Sequence, residues 1–251
     1  MPTADEAPAP AGRAAAFRGR GAIAAAGLIG ILIGAGGVAL ASRDAPSGSR
    51  EDVERIVRDY VLANPELIPE AMQALHDKQA AKAVAANRAA LEKPFASAWA
   101  GAADGDVVLV EFFDYACGYC RKSNADVERL LAEDAGLKVV WREWPVLGQD
   151  SLAAAEASLA AAEQGKFRSF FHQMFEAGRP SGPALSAAQG RTGIRAGGDT
   201  ARFRAEIENN HELARQLGAT GTPTFIVGDK VLQGAVGYDA LKQAIAEARA
   251  T

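Results

Sequence analysis

The chain has 251 residues, of which 49% are hydrophobic and 23% charged, and its formal net charge is −4 at pH 7. This composition is typical of a globular protein with room for one extended domain or two small domains. The weakly acidic balance offers no broad basic surface, so nucleic acid is not expected as a partner.

An uncharged apolar run at residues 21–41 determines the expected compartment. Three arginines precede this run, within residues 1–20, which we expect to form a disordered cytoplasmic tail. The length of the run favours a transmembrane anchor, whereas its many small residues and the Ala-Leu-Ala sequence ending at Ala41 favour an export signal that is cleaved near Ala41. Both alternatives place the rest of the chain in the periplasm.

A helical arm is predicted at residues 50–93, after a short polar linker at residues 42–49. Ser49 can cap the first helix, and the Asn64-Pro65 pair ends it and begins a second, alanine-rich helix. Because the second helix has few large apolar side chains, it cannot form a core of its own. Two interpretations follow: an arm that makes a homo-oligomer, or a helical linker that packs loosely on the main domain.

The main domain is predicted to span residues 94–251. The nearly continuous apolar run at residues 107–113 is typical of a strand that is buried on both faces. A helix is expected from Cys117, and a second strand is expected at residues 138–142. This order of strand, helix and strand predicts a βαβ unit.

The second half of the domain is predicted to be helical before it returns to the sheet. Helical periodicity covers most of residues 149–217, apart from a segment at 179–198 that is predicted to be loop-rich. Strands at 224–227 and 230–233 flank a Gly-Asp turn and predict a hairpin, and a final helix follows.

The only two cysteines, Cys117 and Cys120, form a C-x-x-C motif at the predicted strand-to-helix junction. The unpaired N–H groups of a helix N-terminus stabilise a thiolate, which favours Cys117 as the nucleophile and Cys120 as the resolving thiol. A structural disulfide is the first alternative, although so small a loop restrains the unfolded chain very little. Metal binding is the second alternative, although zinc requires four ligands, and copper(I) on two thiolates remains open.

Two segments resemble the DsbA-like periplasmic disulfide oxidoreductases: VEFFDYACGYC around the cysteines, and GTPTFIVGDKVLQG about a hundred residues later. The resemblance covers residues 94–251 and implies an α/β thioredoxin fold with a helical insertion at about 149–217. The segment VERIVRDYVLANPELIPEAMQAL resembles the arm of the ScsC/Com1 branch of this family. No cofactor is implied.

The resemblance also assigns roles to residues outside the cysteine pair. Glu111 corresponds to a buried carboxylate that relays a proton for Cys120, and the alternative is a strand-end carboxylate that reaches solvent. Thr222 and Pro223 correspond to the cis-proline loop opposite the disulfide, where extended client peptides pair; a trans turn proline is the alternative.

The Gly118-Tyr119 dipeptide between the cysteines is expected to set the redox poise. Strongly oxidising members of the family have Pro-His there, so this chain resembles the disulfide isomerases or reductases more than the dithiol oxidases. Cysteine-containing exported proteins are the expected clients, and a membrane redox partner is expected to reset the dithiol. A non-catalytic envelope protein or a copper-binding protein is the alternative from another class.

Overall fold

The computed structural model describes residues 49–195 and 197–250. The predicted cytoplasmic tail, the anchor or signal at 21–41 and most of the linker lie outside these residues. Within the described residues, none of the helices combines the length and apolarity needed to cross a bilayer. The chain divides into two compact units, one that ends at Leu67 and one that begins at Ile68.

The described part of the first unit is built around helix α1 (Arg50–Ala63). The Ser49 hydroxyl accepts a hydrogen bond from the Asp52 amide at 3.1 Å, which confirms the predicted cap. The Asn64 amide donates to the Tyr60 carbonyl at 2.9 Å and closes the helix where the sequence predicts. Five large apolar side chains on this helix are exposed, namely Val53, Ile56, Val57, Tyr60 and Leu62.

The second unit is built on a five-stranded mixed sheet with the order β1-β3-β2-β4-β5. Its strands are β1 (Trp99–Gly101), β2 (Val107–Phe113), β3 (Leu137–Glu143), β4 (Thr224–Val227) and β5 (Lys230–Gln233). The central strands β2 and β3 are parallel, and the other pairs are antiparallel. The βαβ unit and the hairpin are therefore confirmed. Strand β1 is missed because three residues are too few to show a period.

Seven further helices lie among the described residues: α2 (Leu67–Glu92), α3 (Gly118–Glu133), α4 (Gln149–Glu163), α5 (Phe167–Glu176), α6 (Gly182–Thr192), α7 (Thr200–Gln216) and α8 (Tyr238–Arg249). Residues 179–198, which the sequence predicts to be loop-rich, contain α6 at their centre. Ser181 caps this helix, and only Ala188 of its residues is buried, so hydrophobic periodicity gives little signal.

Helices cover both faces of the sheet. One face carries the larger core, with side chains from β2 and β3 packed against α3, α5 and α8, including Leu109, Phe113, Val127, Leu130, Phe171 and Leu241. The other face packs against α2 and α7 through Val84, Leu91, Phe112, Val140, Leu213 and Ile226. This is the predicted thioredoxin fold with inserted helices, in which β2 and β3 are buried on both faces.

The end of α2 is fixed to the sheet by Arg142, a strand residue that is only 3% exposed. Its guanidinium donates to the carbonyl oxygens of Leu91 at 3.1 Å and Lys93 at 2.8 Å. These contacts satisfy backbone carbonyls that the helix end leaves without partners. Helix α2 therefore packs with the second compact unit, which begins at Ile68.

Candidate active site

Cys117 occupies the N-cap position of α3, immediately after the turn that follows β2. Its amide donates to the Asp114 carbonyl at 3.0 Å, which shapes the turn. Its sulfur accepts a hydrogen bond from the Cys120 amide at 3.4 Å. The local fold therefore aims the free N–H groups of a helix N-terminus at this sulfur atom.

The pKa of the Cys117 thiol is lowered to about 5. The largest cause is the hydrogen bond from the Cys120 side chain, and burial opposes it. The side chain of Thr222 and the backbone amides of Cys120 and Tyr119 lower this pKa further. Because a thiol with a pKa of about 5 is almost fully ionised at neutral pH, Cys117 is a ready nucleophile.

Cys120 is fully buried and has the opposite character. Burial, the hydrogen bond to Cys117 and the charge of Glu111 raise the pKa of the Cys120 thiol far above its ordinary value. The two sulfurs are present as free thiols, so the structure describes the reduced protein. Cys120 therefore has to lose a proton before it can attack another sulfur.

Glu111 lies on β2, in the core beneath α3, and is 0% exposed. The Trp141 indole N–H donates to its Oε2 atom at 2.9 Å, and its Oε1 atom has no hydrogen-bond partner among the described residues. Burial raises the pKa of Glu111 to about 8, although the Trp141 hydrogen bond opposes this effect. The predicted alternative, a carboxylate that reaches solvent, is excluded.

The Thr222-Pro223 peptide bond is cis and lies beside Cys117. The Cys117 sulfur lies 3.2 Å from the Thr222 carbonyl oxygen. The antiparallel register that pairs Phe112 with Thr224 brings this loop to the end of β2 where α3 begins. The structure thus unites the two predicted motifs at one site.

The two residues between the cysteines face outward. Tyr119 is 67% exposed, and a Cβ atom added to Gly118 would meet nothing within 4 Å. The guanidinium of Arg121, the residue that follows the second cysteine in the chain, donates to the Phe175 carbonyl at 3.1 Å. Cys117 itself is 6% exposed and lies next to the exposed Gly118 and Tyr119.

Several site residues cannot be found from the sequence motifs. Trp141 reaches Glu111 because the parallel register pairs these two residues, and a register is a tertiary property. Tyr115 and Ser158 form a buried hydrogen bond of 2.8 Å between the active-site turn and α4. Within the described ranges, His, Cys, Asp and Glu side chains form no group of three or more that could hold a metal ion.

A family model described as the DSBA-like thioredoxin domain matches residues 108–246. A second model, described as the copper resistance protein ScsC N-terminal domain, matches residues 50–82. The first match contains the cysteine pair and the cis-proline loop. The second lies on helices α1 and α2.

Solved and curated relatives agree with these matches. A linker-deletion mutant of Proteus mirabilis ScsC is 29% identical with a TM-score of 0.66, covering 82% of this chain and 98% of that one. Disulfide bond formation protein D of Bacillus subtilis is 26% identical over 58% of this chain and 73% of the relative.

A relative of a different kind also matches part of the chain. The Na(+)/H(+) antiporter NhaA 3 of Salinispora tropica is 30% identical over 60% of this chain but only 24% of its own length. The chain thus spans about a quarter of that protein, and transport is not carried over. On the fold, the site and the matched model, the chain belongs to the DSBA-like thioredoxin domain family and carries an ScsC-type N-terminal segment.

Proposed function

We propose that the protein is a thiol-disulfide oxidoreductase that acts on cysteines of exported proteins as a disulfide isomerase or reductase. The observation that carries this proposal is the asymmetry of the pair: Cys117 caps a helix and has a lowered pKa, whereas Cys120 lies fully buried beside Glu111 and has a raised pKa. A structural disulfide requires no such difference between its sulfurs.

The chemistry begins when the Cys117 thiolate attacks a client disulfide. One client sulfur becomes bonded to Cys117, and the other leaves as a thiolate. In reduction, Cys120 loses its proton and attacks the Cys117 sulfur, which oxidises the pair to a disulfide and releases a client dithiol. In isomerisation, the freed client thiolate attacks a second client disulfide, and another client thiolate then displaces Cys117 with no net redox change.

The dipeptide between the cysteines supports isomerisation or reduction. Gly118 has no side chain, and the exposed Tyr119 provides no cation for the thiolate. The low pKa of Cys117 supports a second candidate, a dithiol oxidase, because a stabilised thiolate favours the reduced form and makes the disulfide more oxidising.

Two refolding assays distinguish these functions. We expect the reduced protein to rescue a scrambled substrate with wrong disulfides faster than the oxidised protein forms disulfides in a fully reduced substrate. Fast oxidation without rescue would instead identify the oxidase. The Cys120→Ala variant tests exchange itself: it should accumulate mixed disulfides on Cys117, and a non-catalytic envelope protein would collect none.

We further propose that residues 50–93 assemble the protein into a homo-oligomer. The exposed apolar side chains of α1 support this, as do Ile68, Met72 and Leu75 on α2, which follow a helical period and are also exposed. Light scattering on the protein with and without residues 50–67 tests assembly through α1. If both proteins are monomers, assembly through α1 is rejected.

We propose that the protein works in the periplasm. A membrane redox partner would return Cys117 and Cys120 to the redox state in which they act on clients. The basic residues before the apolar run at 21–41 support export of the catalytic unit. Fractionation of cells that express the full chain tests the location, and recovery of the protein in the cytoplasm would reject it.

A further inference from the structure

A cluster of half-buried charged side chains lies outside the cysteine pair, on the flank of α3. Glu128 of α3 and Arg168 of α5 form an ion pair of 2.7 Å, and the His172 Nε2 atom lies 3.6 Å from the Glu128 Oε1 atom. Side-chain exposures of 34–39% place all three at the boundary between core and solvent.

This cluster is physically continuous with the buried carboxylate. The Arg168 guanidinium carbon lies 5.2 Å from the centroid of the Trp141 ring, and Trp141 donates its indole N–H to Glu111. The Glu128 charge is among the causes that raise the pKa of Glu111. Glu128 is thus linked to Glu111 through Arg168 and Trp141, and its side chain is 35% exposed.

A row of unpartnered oxygens follows the same flank. Cys120, Asn124 and Glu128 are spaced by four residues, and Ser123 is three from Cys120, so all four side chains share one face of α3. Four buried oxygen atoms there lack hydrogen-bond partners among the described residues: Glu111 Oε1, Ser123 Oγ, Asn124 Oδ1 and Glu128 Oε1. Buried polar atoms normally have partners, and water supplies them where protein does not.

We propose that these oxygens line a water-mediated proton path from Glu111 to Glu128, and that Glu128 exchanges the proton with solvent. The inference rests on the proposed thiol-disulfide exchange. Glu128 acts through Glu111 and does not touch the reacting sulfurs.

The path serves the resolving step. When Cys117 enters a mixed disulfide, its negative charge disappears, and with it one cause of the raised pKa of Glu111. The proton of Glu111 then leaves through Glu128 to solvent, and the Glu111 carboxylate accepts the proton of Cys120. The Cys120 thiolate attacks the Cys117 sulfur, and the electron pair of the broken mixed disulfide leaves with the departing thiolate.

The test separates the two steps with 5,5′-dithiobis(2-nitrobenzoate) and the reduced full chain. Cys117 releases the first nitrothiolate, and resolution by Cys120 releases the second, so stopped-flow absorbance gives two phases. In Glu128→Gln we expect an unchanged first phase and a second phase about tenfold slower at pH 7, restored by added imidazole, since a proton relay contributes less than direct acid–base catalysis. The control Asp126→Asn, on the other side of α3, should leave both phases unchanged.

If Glu128 acted only through its charge, Glu128→Gln would change the rate of the second phase in the opposite direction. Loss of the Glu128 charge lowers the pKa of Glu111, so the second phase would become faster at pH 6 and its pH midpoint would fall. A second phase that is unchanged, faster, or slowed without rescue by imidazole overturns the proton path. Release of a single nitrothiolate by the wild-type protein would instead reject the proposed function.

Discussion

The raised pKa of Glu111 should make the stability of the protein depend on pH. Comparison with the Glu111→Gln variant separates this effect from the titration of other groups. The pKa of Glu111 is about 8 in the folded protein, against 4.5 for an unperturbed glutamate. Below pH 4.5 the carboxyl is neutral in both states, so it gives no pH dependence. Between pH 4.5 and 8 only the unfolded chain ionises, and stability falls as pH rises; above pH 8 the loss is constant.

The size of this loss follows from the difference between the two pKa values. A difference of about 3.5, at roughly 1.4 kcal/mol per pKa unit, corresponds to about 5 kcal/mol across the whole window. Glutamine keeps the shape and accepts the Trp141 hydrogen bond, but it does not titrate. The variant should therefore gain stability relative to glutamate as the pH rises.

The measurement is urea unfolding from pH 5 to 9, in a background that carries Cys117→Ala and Cys120→Ala. This background removes thiol titration and the charge on Cys117, but it keeps the burial that is the largest cause of the shift. We expect the Gln-minus-Glu difference in unfolding free energy to grow by at least about 2 kcal/mol between pH 5 and 8. Other groups titrate equally in both proteins, so parallel stability curves would refute a buried neutral Glu111.

Three further predictions concern the thiols and the α2 anchor. Alkylation of Cys117 by iodoacetamide should follow a midpoint near pH 5, and in Cys120→Ala, which lacks the main hydrogen-bond donor, the midpoint should rise; a wild-type midpoint at pH 8.5 or above would contradict the assigned hydrogen bonds. Tyr119→His should raise the reduction potential of the Cys117–Cys120 pair by about 30 mV for each 1.4 kcal/mol of added thiolate stabilisation. Equilibration with glutathione measures this potential. An unchanged potential would show that a side chain at position 119 does not interact with the Cys117 sulfur. Arg142→Met should lower the free energy of unfolding by about 3–5 kcal/mol in urea, because it leaves helix-end carbonyls and the Glu206 carboxylate without their partner. The control Arg204→Met removes an exposed ion pair and should lower it by less than about 1 kcal/mol. Equal losses of stability in the two variants would reject the anchoring role of Arg142.

The sequence predicts the frame of this site because its signals are local. Continuous apolar residues mark β2 with its observed bounds, and a C-x-x-C motif at a strand end gives the N-cap position of Cys117. The hairpin β4–β5 follows from its Gly-Asp turn. Each of these features depends on residues that are close together in the chain.

The missing parts depend on residues that are far apart in the chain. Trp141 contacts Glu111 across thirty positions, and Arg168 reaches Glu128 across forty. The role of α2 escapes prediction for the same reason: Val84 and Leu91 look like isolated apolar residues in an alanine-rich helix until the sheet surface beneath them is known. The composition of a segment indicates how much apolar surface it can bury, but not which surface it packs against.

The opposite character of the two thiols follows from their positions at the start of α3 and from the hydrogen bond between them. The first residue of the motif precedes α3, where amide N–H groups are free, and the second lies in the first turn, whose inner face points into the core. A spacing of three therefore places one sulfur among donors and the other in a low-dielectric interior that disfavours its charged form. That same interior raises the pKa of Glu111, and the packing of α5 beside α3 places the Glu128–Arg168 ion pair at the solvent end of the proton route that we propose.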